Sequence, residues 1–415
     1  MSLRDVLFVF AAVVCLVTAE NAQAQGANGF HWVGSWAASQ QVPETGNLLD
    51  PELLRDATLR QIVHLTVGGS QLRVRVSNAF GTEPLHLTAV HVARPVSAAS
   101  ASIDAASDRV VTFHGAPDVM IPAGAEYLSD AVAFPAMALS SLAISIHFDQ
   151  PPTGETGHPG SRATSYVAHG DLVSAENLPD AKRVEHWYQV SGVDVSSAAQ
   201  AGSVVTLGDS ITDGHGATTN GNDRWPDVLA GRMQADKSTR MLGVLNEGIG
   251  GNRLLLDGLG PNALARFDRD VLAQTGVRAV IVLEGVNDLG TLTRDHDVSV
   301  EEHAALVGGI EAAYSQMIER SHAHGIRVIG ATILPYIGSK YYHPGPESEA
   351  DRQAINAWIR ATGHFDAVVD FDKVTRDPQQ PDRLFPAYDS GDHLHPGPEG
   401  YKAMGDAIPL TLVVP

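Results

Sequence analysis

Val204-Val205-Thr206-Leu207-Gly208-Asp209-Ser210-Ile211-Thr212-Asp213-Gly214 is an apolar run that ends in a glycine, an aspartate and a serine. Val204 to Leu207 has the length and composition of a short buried strand. The glycines around the turn behind it permit a sharp bend and close approach of a second molecule. A helix is expected to begin near Arg224. A serine leaving a buried strand at such a turn can project its hydroxyl from the top of a sheet, where a nucleophile would stand. The same residue can cap a helix, and an isolated G-D-S does not separate the two roles. The run is not a G-x-S-x-G elbow, because Thr212 stands in place of the second glycine.

Downstream, apolar strands alternate with helices. A strand lies around Val244, and others at Ala279 to Leu283, Val328 to Thr332 and Ala367 to Val369. The longest helix, Val300 to His324, opens with Ser299 and Glu302 at capping-box spacing and stops at Gly325. Another, Glu349 to Thr362, stops at Gly363, and Pro398 to Leu410 forms the last. Strands separated by crossover helices make a parallel sheet. Active sites in such sheets lie beyond the strands' C-terminal ends, so chemistry is sought just after each strand.

Upstream, from Phe30 to Val195, the apolar residues alternate with a period of two. Leu72, Val74 and Val76 alternate with Arg73, Arg75 and Ser77, which reads as a solvated strand face. Leu142, Ile144, Ile146 and Phe148 repeat the pattern, and Leu85 to Ala93 and Val110 to Phe113 read as further strands. Gly68-Gly69-Ser70, Gly81-Thr82, Gly115-Ala116-Pro117 and Pro122-Ala123-Gly124 are turns. Many short strands with such turns predict an all-β sandwich, of jelly-roll type, over 28–195. Trp32, Trp36, Trp187 and Tyr188 either stack on sugar rings or pack between layers. The small polar run Ser196 to Gly202 marks the boundary to the second domain, 202–415.

Beyond the serine, two segments carry chemistry. Asp392-His393-Leu394-His395-Pro396 precedes the last helix. A serine nucleophile needs a base, and the base an orienting carboxylate; Asp392 and His395 supply both from one loop. His393, His343 and His215 compete as bases and Asp389 as the carboxylate, and the place before Pro396 selects His395. Asn246 to Asn252 is glycine-rich and able to aim a backbone N–H at an oxyanion, and Glu284-Gly285-Val286-Asn287-Asp288 offers a side-chain amide. A phosphate loop would want a Lys-Ser/Thr pair or G-x-G-x-x-G spacing, which the glycine loop lacks. Asp209, Asp213 and Asp288 read as loop braces. With no H-E-x-x-H and no Cys cluster, neither metal nor cofactor is expected.

Taken in order, Gly208-Asp209-Ser210, the Gly251 loop, Gly285-Val286-Asn287-Asp288 and Asp392 to His395 resemble the four signature blocks of the SGNH (GDSL) hydrolases. The resemblance covers Gly202 to Pro415. It implies an α/β fold, a three-layer α/β/α domain with a parallel sheet, and a serine esterase mechanism. On it Ser210 is the nucleophile, His395 the base and Asp392 its orienter. The Ser210 and Gly251 N–H groups and the Asn287 amide form the oxyanion hole, with Gly248 and Gly250 as neighbours of Gly251 in the same loop. The leader and the β-domain make the chain similar to the extracellular xylan-esterase-like branch. That implies a short acyl group, acetyl above all, on a carbohydrate or small-molecule ester. Arylesterase, lipase and acyltransferase are the alternatives, and a non-enzymatic carbohydrate-binding protein would lack a triad member.

Composition bounds the rest. Across 415 residues the chain is 44% hydrophobic and 18% charged, with 40 Gly and 23 Pro, as in a turn-rich globular protein. A formal charge of −20 disfavours nucleic acid and anionic membranes and suits neutral or cationic substrates. Arg4, the apolar run Val6 to Ala19 and Ala22-Gln23-Ala24 fit an export signal cut after Ala24. The run is shorter than a membrane-spanning helix requires, so no stable insertion is expected, and the product is placed in the cell envelope or medium. The single cysteine, Cys15, lies inside that signal, leaving a mature chain without thiol or disulfide. Oligomeric state is left open.

Overall fold

The computed structural model of the chain describes residues 30–296 and 298–414. The predicted export signal, Arg4 to Ala24, lies outside the described residues. Five parallel strands form one sheet in the order Leu242–Gly248, Gly202–Gly208, Val277–Leu283, Arg327–Ala331 and Ala367–Val369. The chain starts at Gly202–Gly208, crosses to one edge, then returns to its other side, so the strand order reverses around the strand that ends before Ser210. This is the crevice position favoured for ligands in open parallel sheets.

The sheet interior is a continuous apolar core, because its strands are covered on both faces. Two groups of helices pack within this part, and the strand Phe30–Ala37 packs on its edge strand Leu242–Gly248. Trp225–Ala235 packs on Pro398–Ala407, which packs on Phe371–Thr375. Val300–Ala323 packs on Pro346–Arg360 and on the strand Arg327–Ala331. The expected capping box of the longest helix is formed: Ser299 Oγ accepts from the Glu302 N–H, and Glu302 accepts from the Ser299 N–H at 2.9 Å.

The all-β part contains two main antiparallel sheets. One runs Phe30–Ala37, Val190–Ala198, Gly69–Ser77 and Glu126–Leu128, with Val132–Ala136 also paired to Gly69–Ser77. The other runs Lys182–Val184, Ser165–His169, Ala57–Leu65, Ser140–Phe148, Ala89–Pro95 and Ile103–Val111. Alternate residues of both, among them Val74, Val193, Leu59 and Ile144, meet in one core.

Several expectations change here. The strand read from Leu85 to Ala93 divides at Thr88: Leu85–Leu87 pairs with Val119–Ile121, and Ala89–Pro95 joins the large sheet. The strand read as Val110 to Phe113 spans Ile103–Val111; it is an edge strand exposing Asp104, Ala105 and Ala106, so its apolar alternation is weak. Arg73 and Arg75 do not face solvent. Their side chains are 21% and 13% exposed, with Arg73 paired to Asp194 at 3.0 Å and lying over Trp32. Arg75 reaches Thr275 of the parallel-sheet part. Trp36, Trp187 and Tyr188 are buried, with Trp36 edge-on to Trp187 at 4.9 Å, and so are packing residues rather than a sugar platform.

The chain passes from Val190–Ala198 into Gly202–Gly208 through one turn, and the two parts are keyed together. Ala38 bridges to Asn246. The Thr66 hydroxyl accepts from the Val244 N–H at 2.9 Å, and the Gly34 N–H donates to the Thr275 carbonyl at 2.9 Å. Among the described residues no helix is long and apolar enough to cross a membrane.

At the top of the sheet the short helix Ser210–Asp213 sits directly on the strand end. A Cβ on Gly248 would fall 2.3 Å from the Asp213 backbone nitrogen. Backbone cannot swing aside as a long side chain can. Gly248→Ala is therefore expected to lower stability by about 1–3 kcal/mol, as overpacking does, and to reduce turnover by displacing the Ser210 turn. Thermal denaturation and initial rates check both, and an unchanged Tm would contradict the contact.

Candidate active site

The Ser210 turn is built from its caps. Asp209 takes an extended conformation and its Oδ1 accepts from the Ile211 N–H at 2.9 Å, so the aspartate, not the serine, is the N-cap. Gly214 closes the helix in the left-handed region at φ 99°, its N–H donating to the Ser210 carbonyl at 2.9 Å. Ser210 is thereby held 7% exposed at the mouth of the turn.

Ser210 Oγ lies 2.8 Å from His395 Nε2, and His395 Nδ1 lies 2.6 Å from Asp392 Oδ2. The other Asp392 oxygen accepts from the Leu394 and His395 N–H groups, both at 2.9 Å. Burial pulls the Asp392 carboxyl up, but the hydrogen bond and charge of His395 with those two N–H groups outweigh it and hold the carboxyl below the usual range. An ionised Asp392 accepts from Nδ1–H, which leaves Nε2 free to accept from the serine hydroxyl.

The rival residues have other duties. Asp389 Oδ1 accepts from the Gly391 and His393 N–H groups, and Oδ2 meets His393 Nδ1, so this pair braces the loop. His343 is exposed and does not line the cleft. His215 packs against His395 with ring centroids 4.1 Å apart and its Nε2 3.9 Å from Asp392. Burial, then the charges of His395 and Arg162, push His215 down to about 4. His215, Asp392 and His395 each bring a metal-ligating atom within 4.8 Å of the others. Two of those residues already share the 2.6 Å hydrogen bond.

Ser210, His395, Gly251 and Asn287 line one cleft of about 910 Å³. Gly251 has φ 71°, and Gly250 also lines the cleft; the Gly248 N–H is spent on Asn246 Oδ1 at 2.9 Å. Asn287 follows Gly285 and Val286 at the start of the helix Val286–Thr293. Its Oδ1 accepts from the Tyr342 hydroxyl at 2.6 Å, and one amide hydrogen goes to the Asn252 carbonyl at 2.8 Å. The second amide hydrogen remains for a ligand. The three aspartates read as braces do brace: Asp209 as above, Asp288 on the Leu254 and Leu255 N–H groups, and Asp213 on His158.

Ser39, His158, Arg162, Arg266 and Tyr342 were not singled out in the sequence. Ser39 and His158 come from the all-β part. His158 Nδ1 donates to the Ser39 carbonyl at 2.8 Å and Nε2 meets Asp213 Oδ1 at 2.9 Å. A carbonyl can only accept, so Nδ1 is a nitrogen that carries a proton. His158 lies 55 residues from Asp213, and Ser39 lies 231 from its partner Asp270, so no local pattern could mark them.

Residues 206–403 match the model of the GDSL-like lipase/acylhydrolase family. No curated protein matches the chain. Among solved structures, a protein described as lipolytic and of the G-D-S-L family from Desulfitobacterium hafniense is 25% identical, covering 49% of this chain and 96% of its own, with a TM-score of 0.37. A GDSL-like lipase from Bacteroides thetaiotaomicron is 22% identical, with 51% and 87% covered and a TM-score of 0.37. An acetyl xylan esterase is 20% identical, with 49% and 96% covered and a TM-score of 0.36.

The buried acids beneath the turn predict a pH dependence of stability. Burial, opposed by the Ile211 N–H, pushes Asp209 up to about 7. A carboxyl raised in the fold binds its proton more tightly than in the unfolded chain, where it titrates near 4. Its contribution is complete below about pH 4 and lost as pH rises through about 7. Asp209→Asn keeps the capping oxygen and cannot ionise, so its Tm should fall less than wild type's between pH 5 and 8. Parallel profiles of the two would refute the assignment.

Proposed function

With residues 206–403 belonging to the GDSL-like lipase/acylhydrolase family and the chain thus a carboxylic ester hydrolase, we propose that it cleaves short-acyl esters through a Ser210–His395–Asp392 triad. The observation that carries the reading is the unbroken relay of 2.8 and 2.6 Å hydrogen bonds from Ser210 to Asp392, opening into the 910 Å³ cleft. His395 Nε2 takes the proton of Ser210 Oγ as the oxygen attacks the ester carbonyl. Asp392 stabilises the imidazolium that forms. The carbonyl oxygen, now negative, receives the Ser210 and Gly251 N–H groups and the free Asn287 amide hydrogen. Collapse breaks the bond to the alcohol, which leaves with the His395 proton. Water, deprotonated by the same ring, then hydrolyses the acyl-enzyme.

Within this reading the acyl group is acetyl or similarly short and the alcohol a carbohydrate. Tyr341, 58% exposed on the cleft rim, supports it as a flat face for a sugar ring. An aryl leaving group would use the same face, together with Leu259 beside it. An acceptor alcohol in place of water would make the same intermediate an acyltransferase.

We take 28–195 as an accessory β-sandwich of jelly-roll type and 202–415 as the hydrolase domain. The two helix groups of the latter would be the outer layers of a three-layer α/β/α arrangement. The leader ending at Ala24 would direct the protein to the cell envelope or medium.

Ser210→Ala is expected to lower kcat for 4-nitrophenyl acetate by a factor on the order of 10⁴ to 10⁶, with an unchanged Tm. Retained turnover would exclude Ser210 as nucleophile. As pH falls, kcat/KM should decline as the general base is protonated, with no separate step from His215, which is held down to about 4. A flat profile from pH 5 to 8 would count against a histidine base. Asn287→Ala should reduce kcat about 10²- to 10³-fold with little change in KM, as loss of an oxyanion donor does. A loss confined to KM would move Asn287 out of that role.

A further inference from the structure

The charge around the cleft has the opposite sign to that of the molecule. The chain carries a formal charge of −20. The cleft is lined by three permanent cations, Arg253, Arg294 and Lys340. Asp392 is the single carboxylate among its lining residues, and it is paired with His395. The expectation that net charge suits the protein to neutral or cationic substrates is therefore reversed where a substrate would bind.

The cations stand beside the corner assigned to the ester carbonyl. Arg253 follows Asn252, whose carbonyl takes one Asn287 amide hydrogen, and lies two residues after Gly251. Lys340 lies two residues before Tyr342, whose hydroxyl fixes the same amide. Successive Cα atoms are about 3.8 Å apart, so Arg253 is rooted close to the Gly251 backbone, while Lys340 lines the same cleft from the Tyr342 segment.

Arg253 is positioned for a ligand rather than for a structural pair. Its guanidinium lies against the bare backbone of Gly258, where a Cβ would fall 1.7 Å from Nη2, and it donates to the Asp257 carbonyl. That contact is to a carbonyl, and the carboxylates of Asp257 and Asp288 feel the Arg253 charge without coming within ion-pair distance of it. Arg294 shares its charge with Asp295 at 3.0 Å and donates to the Tyr341 hydroxyl at 3.2 Å, which keeps it on the rim. Lys340 is exposed beside them.

Resting on the esterase reading above, we propose that this rim is an anion subsite and that the preferred substrates are esters carrying a carboxylate or another oxyanion close to the scissile carbonyl. Guanidinium forks match such groups in geometry as well as charge. Repulsion from the remaining surface is screened beyond about 8–10 Å at physiological salt, so the rim governs an anion once it has arrived.

Two ester pairs test the subsite and locate the anion. 4-Acetoxybenzoate against its methyl ester places the charge on the alcohol side, and a monoaryl succinate against the aryl pentanoate places it on the acyl side. Binding to Ser210→Ala protein by titration calorimetry reads affinity without turnover. The charged member of at least one pair should bind roughly fivefold or more tightly, and about 0.5 M salt should reduce the preference. Adding Arg294→Gln or Lys340→Gln should reduce it a further 1.5- to 5-fold each, roughly the worth of partly solvated pairs. Equal or weaker binding of both charged members overturns the subsite whatever wild type hydrolyses. A preference that neither substitution changes overturns its assignment to this rim. Tight binding of charged members with no hydrolysis of any of the four esters by wild type would uphold the subsite and overturn the esterase reading.

Discussion

The top of the parallel sheet is organised by one buried cation, Arg266, which is 0% exposed. Its Nη2 donates to the Gly208 carbonyl at 3.0 Å and its Nη1 to the Glu247 carbonyl at 2.7 Å. These are the ends of the adjacent strands that lead into the Ser210 turn and the glycine loop. Nε donates to Asn252 Oδ1 at 3.0 Å, Nη1 also to Ser39 and Asp270, and Nη2 meets Glu284 at the end of the next strand. Carbonyls at the end of a buried strand need donors, and a guanidinium presents five in a rigid fork. The fork sets the distance between the Ser210 turn and the Gly251 loop. Burial would raise Asp270, but Arg269 and Arg266 hold it below its usual range. Burial, then neighbouring carboxylates, drive Glu247 and Glu284 well above theirs. Around the cation, charge thus favours the ionised form of Asp270, while burial favours the protonated form of Glu247 and Glu284. Such a buried pair adds little net stability over apolar packing, yet removing one partner strands the other at about 3–5 kcal/mol. What it supplies is geometry.

How much of this could be read from the chain follows from the range of each interaction. Strand–glycine–serine, the D-x-x-H loop and the capping box are local patterns, so the strands, longest helices and the Ser210 and Asp392–His395 segments were each legible, although Ser210 and His395 stand 185 residues apart. Asn287 was legible as a donor, but Tyr342, which orients its amide, was not, because a tyrosine 55 residues away carries no local mark. Arg73 and Arg75 illustrate the opposite error. A period-two pattern shows that two faces differ, and it cannot tell water from a second structural part as the cover of the polar face. Here Trp32, Asp194 and Thr275 cover it. Arg60 was invisible for the same reason: fully buried, it donates to Ser145 Oγ and to the carbonyls of Ala101, Leu172, Val173 and Ala175, groups up to 115 residues away.

Net charge misleads in a related way. A sum over the whole chain governs solubility and long-range encounter, but a ligand in a cleft meets the few charges within a Debye length. Several acids near this site serve as braces rather than as cleft lining. Asp209 caps the Ser210 helix, Asp288 holds the Leu254 and Leu255 N–H groups, and Asp389 holds its own loop, while exposed Asp295 pairs with Arg294 outside the lining. The cations are turned outward on the rim. Keeping most carboxylates out of the cleft lining lets a strongly acidic protein present a basic mouth.

The all-β part takes part in this arrangement and is not an appendage to it. Ser39 reaches both Arg266 and Asp270, His158 joins Asp213 to the Ser39 carbonyl, and Arg162 contacts His215, which packs against His395. Each of these contacts pairs a group of the all-β part with a partner in the hydrolase part, two of them buried and charged. A displacement of one part against the other would leave buried Asp213 without His158 and take the Ser39 hydroxyl from Arg266 and Asp270, although Arg266 and Arg269 keep Asp270 paired. The geometry of the Ser210 turn is therefore a property of the whole described chain, carried through Ser39 and His158 to the same strand ends that Arg266 holds.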